Sequence, residues 1–110
     1  MTCGRPALRT TVEQSGSSVV VCVHGELDLA TAPALRQALL DAATGTPVDV
    51  VVDLAGVPFV DATSLGALLT AAEAVRTAGG ELRLASPSRM LRLMLRLLDL
   101  EAALPLAGVR

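Results

Sequence analysis

The stretch DLAGVPFVDATSLG, residues 53–66, decides how this chain is built. It begins at the end of a β-branched run, Val48 to Leu54 (VDVVVDL), that reads as a strand buried on both faces. It crosses a connection from Ala55 to Asp61 and enters a helical pattern from about Ala62 to Ala78. Leu65, Leu68, Leu69, Ala72 and Val75 share one face of that helix. Gly79-Gly80 closes it in the manner of a C-cap. Asp61 is placed as its N-cap, because a carboxylate there accepts backbone N–H groups that the first turn leaves unpaired. Thr63 and Ser64 add hydroxyls to the same turn, where the positive end of the helix dipole welcomes an anion, a covalent phosphate included. By these rules alone, a well-capped helix start is the better account of the segment.

Upstream, Ala7 to Glu13 is a weak strand candidate and Gln14 to Ser17 a turn. Ser18 to His24 (SVVVCVH) reads as another strand buried on both faces, giving an opening hairpin. Gly25-Glu26-Leu27-Asp28 breaks it. Thr31 as N-cap with Pro33 in the first turn starts a helix carrying Leu35, Ala38, Leu39 and Ala42 on one stripe, with Arg36, Gln37 and Asp41 off it. Gly45-Thr46-Pro47 ends that helix. Downstream, Glu81 to Ala85 alternates as a short strand, and Ser86-Pro87 opens a last helix. That helix turns Leu91, Met94, Leu95 and Leu98 inward and Arg89, Arg92 and Arg96 onto another face. Leu93, Leu97 and Leu100 exceed what one core face requires, so a weak homodimer through them is expected. The tail from Pro105 to Arg110 is assigned no element.

The order ββαβαβα implies an α/β fold: a mixed β-sheet of about four strands, an opening hairpin plus parallel strands, with crossover helices packed on it. At 110 residues the expectation is a single domain over 7–110 after a flexible N-terminus at 1–6. The apolar fraction is 52% with one Phe and no Tyr or Trp, so Leu, Val and Ala must build the core.

Composition also excludes function classes. A net charge of −2 argues against a nucleic-acid partner. His24 is the only histidine, so no His cluster can hold a metal, and no cofactor is expected. Cys3 and Cys22 read as free thiols in a reducing cytosol. No secretory h-region and no apolar run of about 18 residues is visible, so a cytoplasmic protein without membrane insertion is expected. Asp28 and Asp61 both follow buried strands and can lie near each other, but no nucleophile accompanies them. Capping and loop ordering explain them better than acid–base catalysis, and the chain does not read as an enzyme.

Three motifs in order resemble one family over roughly residues 7 to 100. Phe59-Val60-Asp61-Ala62-Thr63-Ser64-Leu65-Gly66 after a strand ending in Asp-Leu is similar to the signature of the STAS family, the anti-sigma factor antagonists. Gly25-Glu26-Leu27-Asp28 before Thr31-Ala32-Pro33, and Ala78-Gly79-Gly80-Glu81-Leu82-Arg83-Leu84 before Ser86-Pro87, match as well. The resemblance implies a bacterial regulator of transcription that binds an anti-sigma factor, a kinase of the histidine-kinase-like ATPase fold, and so releases a sigma factor. It implies phosphorylation of the Ser or Thr just after the signature Asp as the off-switch. It puts Asp28, Asp61, Ala62, Thr63 and Ser64 at the partner-binding edge. The chain departs from the pattern where the switch belongs: Ala62 holds the phosphoacceptor position, and Ser64 stands where Gly is usual. Thr63, then Ser64, are the candidate displaced acceptors. The alternatives are a permanently unphosphorylated antagonist, since Ala62 mimics the uncharged state, and a non-phosphorylatable STAS adaptor subunit of a signalling scaffold or transport complex.

Overall fold

In the computed structural model, which describes residues 8–43 and 49–107, the elements run β1 (Arg9–Ser15), β2 (Ser18–His24), α1 (Ala32–Ala42), β3 (Asp49–Gly56), α2 (Ala62–Thr77), β4 (Leu82–Ala85) and α3 (Arg89–Leu97). The strands form one sheet in the order β1-β2-β3-β4. β1 pairs antiparallel with β2, and β2–β3 and β3–β4 are parallel. The mixed sheet with crossover helices therefore stands as the order of elements implies. The expected flexible start at 1–6, Cys3 and the helix stop at Gly45-Thr46-Pro47 lie outside the described residues.

The two-sided burial expected of β2 and β3 is not what the sheet shows. Val19, Val21 and Val23 are buried while Ser18, Val20 and Cys22 are only half-buried, and β3 alternates in the same way. All three helices send their inward residues into one cluster with these valines, Leu54, Leu82 and Leu84. Successive strand side chains point to opposite faces, so only one face can join that cluster. A run of valines satisfies either arrangement, which is why periodicity alone overstated the burial. Each fully buried Val or Leu in the cluster contributes roughly 1.5–3 kcal/mol of transfer free energy.

Helix ends are where local chemistry can be checked. At the end of α2, Gly80 N–H donates to the Val75 carbonyl (2.9 Å) and Gly79 N–H to that of Arg76 (3.0 Å). Gly79 takes φ +99, a conformation that a side chain would resist, so the expected Gly-Gly stop is a Schellman cap. The start of α3 differs from expectation. Ser88, not Ser86, is the N-cap, its hydroxyl accepting Leu91 N–H at 3.1 Å, and Ser86 instead adopts φ +52 in the turn. The inward set is corrected too: Leu91 and Leu95 are buried and Met94 packs against the core, but Leu98 is 55% exposed. The helix stops at Leu97 and Asp99 turns to φ +59, so position 98 no longer follows the helical stripe. Beyond it, Leu104 is buried, and the tail pairs with the sheet: Leu84 N–H donates to the Pro105 carbonyl (2.8 Å) and Ala107 N–H to that of Leu84 (2.7 Å).

Candidate functional site

Asp28 and Asp61 are brought together because the loops that carry them are bonded to each other. A single parallel bridge pairs Leu27 with Val60, and the Asp61 N–H donates to the Leu27 carbonyl at 3.3 Å. One step upstream, the Gly25 N–H donates to the Gly56 carbonyl at 3.2 Å. The β2–β3 register shifts between Cys22 and His24, and the His24 ring then lies across Gly56. A Cβ at position 56 would collide with the His24 Nδ1. Leu27, Val57 and Val60 are buried beneath these connections and fasten both loops to the core.

The Asp28 loop is internally satisfied. The Asp28 Oδ1 accepts from Ala30 N–H (3.0 Å) and Thr31 N–H (3.1 Å). The Thr31 hydroxyl accepts from Asp28 N–H (3.0 Å) and donates to the Glu26 carbonyl (2.6 Å). Thr31 therefore occupies the cap position of α1 without capping it: its backbone is already near-helical, and no N–H of α1 reaches its side chain. Asp28 does order its loop as expected, its short side chain reaching forward to the N–H groups two and three residues on.

At α2 the expected cap is present. Asp61 is extended (φ −97, ψ 179), its carboxylate accepts from Ser64 N–H at 2.9 Å, and its carbonyl accepts from Leu65 N–H at 3.1 Å. The three residues that follow part ways. Ala62 and Thr63 face solvent, whereas Ser64 is 0% exposed and its hydroxyl meets no partner among the described residues. Ser64, expected at the partner-binding edge, is thus turned into the core in this conformation. The cause is helical periodicity, which puts position 64 beside Leu65 and Leu68 on the core stripe of α2.

Sequence reasoning missed the apolar surroundings of this edge. Leu29 is 71% exposed and Phe59 56% exposed, on the two loops that the Leu27–Val60 bridge joins. A groove of about 280 Å³ runs between α1 and α2, with Leu29, Pro33 and Arg36 on one side and Thr63, Gly66 and Thr70 on the other. The available signal was that Leu29 and Phe59 are large apolar residues in connections, outside any buried stripe. Among the described residues, no three His, Cys, Asp or Glu group together to hold a metal ion, and no helix is long and apolar enough to cross a membrane.

A family model described as the STAS domain matches residues 9–108. The chain belongs to the STAS domain family. The anti-sigma-B factor antagonist of Bacillus subtilis (strain 168) is 32% identical over 87 residues, covering 78% of this chain and 79% of that protein. The crystal structure of an anti-sigma factor antagonist from Mycobacterium paratuberculosis superposes with a TM-score of 0.80 at 30% identity, covering 94% of this STAS chain and 87% of that one. The phosphorylated form of the Bacillus cell fate determinant SpoIIAA shares the fold at a TM-score of 0.69 and 20% identity, over 91% of this chain and 92% of its own. The sheet order and crossover helices above are thus those of the STAS fold.

Proposed function

We propose that this STAS domain is an anti-sigma factor antagonist-like binding module, not an enzyme, that works in the cytoplasm and docks on an anti-sigma factor kinase to release a sigma factor. On this reading residues 7–110 act as one unit. The observation that carries it is the exposed edge of Ala62 and Thr63 at the start of α2, held by the Leu27–Val60 bridge beside the Asp28 loop. The apolar Leu29 and Phe59 on that edge supply the contact area that a protein partner needs. The relatives named as anti-sigma factor antagonists support the choice of partner.

The switch is displaced. Ala62 has no hydroxyl to modify and Ser64 is buried, so Thr63 is the acceptor. A phosphate on Thr63 adds roughly −1.5 to −2 charges at pH 7. The α2 N-terminus tolerates that charge, and Arg36 lines the same groove, so the fold persists while the edge becomes more negative. The test is titration with an anti-sigma factor kinase, with and without ATP, followed by mass spectrometry of the product. A complex without ATP, phosphate on Thr63 alone, and added phosphate at position 62 in Ala62→Ser are expected. Absence of any complex, where an established antagonist binds the same kinases, sinks the reading. Binding that persists with no phosphate anywhere points instead to a permanently unphosphorylated antagonist, the state that Ala62 mimics.

A further inference from the structure

A second, larger recess is a groove of about 680 Å³ between α3 and the C-terminal segment. Its floor is Leu95 and Leu104, both buried members of the core. Leu93 on the helix and Pro105 and Leu106 on the returning chain make apolar walls. Arg89, Arg92 and Arg96 line it as well, three of the nine cations in a chain of net charge −2. Among the described residues, none of these three guanidinium groups donates a hydrogen bond or closes an ion pair. The groove contains one acid, Glu101, which follows the C-terminal end of α3.

We propose that this groove binds a small amphipathic anion, an alkyl chain carrying a carboxylate or phosphate head, with the chain on Leu95 and Leu104 and the head at Arg89 and Arg92. The size lies within the roughly 300–1,000 Å³ of small-molecule sites, and an apolar lining with a few convergent polar groups is their usual composition. The head lies toward Arg89 and Arg92 because Glu101 repels it from the other end. The N-terminal end of α3, next to Arg89, adds its partial positive charge. Guanidinium groups at 89, 92 and 96 span roughly 10 Å along the helix at 1.5 Å per residue, so the head can be met by neighbouring arginines on successive turns. A nucleotide fits less well, since the chain's one aromatic residue, Phe59, is not among the lining residues. An extended peptide fits less well too, since Pro105 offers no N–H and the Ala107 N–H is already given to Leu84.

Isothermal titration of the full chain with dodecanoate, below its micelle concentration, tests the proposal. Saturable binding at one site per chain is expected, with dodecyl maltoside at least tenfold weaker and inorganic phosphate undetectable. The double variant Arg89→Gln/Arg92→Gln should weaken dodecanoate about tenfold, equivalent to ~1.4 kcal/mol, without moving the thermal midpoint. Leu93→Glu, an independent change on the exposed side of α3, should weaken it by a similar factor. Equal affinity for dodecyl maltoside, indifference to both variants, or binding confined to anionic phospholipid vesicles or to an acidic peptide would overturn it.

Discussion

The starts of α1 and α2 lie side by side and each depends on an aspartate, yet the two aspartates do different work. Asp28 orders its own loop: its carboxylate holds Ala30 and Thr31, and the Thr31 hydroxyl returns the bond to Asp28 and reaches on to Glu26. Asp61 gives its carboxylate to one N–H of α2, at Ser64, and leaves Ala62 and Thr63 facing solvent. One start is closed by its own hydrogen bonds and the other presents a surface. The closed loop props the open one through the Leu27–Val60 bridge. A rigid, locally satisfied element beside an exposed helix end is how a small domain can offer a docking edge without loosening its core.

The comparison can be broken at four points. Asp28→Ala removes bonds to two backbone N–H groups and should cost about 2 kcal/mol in urea unfolding, the upper part of the range for lost caps. A loss no larger than that of Asp61→Ala would mean that Asp28 is not the more deeply built-in residue. Thr63→Glu should weaken binding to an anti-sigma factor about tenfold, or ~1.4 kcal/mol, with an unchanged or slightly raised thermal midpoint. A fall in both together would recast Thr63 as a structural residue. Asp61→Ala should cost about 1 kcal/mol, since one capping bond is lost and the backbone bond from Leu65 remains. Ser64→Ala should stabilise by roughly 0.5–1 kcal/mol, because it removes a buried hydroxyl that has no partner. Destabilisation on calorimetry would show that the hydroxyl is satisfied in solution.

The same comparison shows where the sequence was readable. Asp61 was identified correctly because its signal is local: an acceptor at the first extended position before a periodic helix. Thr31 stands at the cap position of α1 as its sequence implies, but its hydroxyl bonds Asp28 and Glu26 instead of the helix, and that choice depends on the loop's path. Ser86 lost its place to Ser88 for a related reason, the turn at φ +52 that delays α3 by two residues. Ser64 looked like its neighbour Thr63 as a letter, and only the orientation of α2 on the sheet separates the buried hydroxyl from the exposed one.

By itself, the sequence determined the order of strands and helices, the hairpin, the Gly-Gly helix stop and the family motifs. These follow from turn residues and periodicities a few positions long. It also determined that position 62 carries no hydroxyl. Tertiary structure alone decided which face of the valine strands is covered, which aspartate orders which loop, and that Leu29 and Phe59 border one edge. It alone folded the tail back along β4 to make a groove beside three arginines. The division has one physical reason: local rules act within about one turn of chain, whereas burial and adjacency depend on segments that meet only after the core closes.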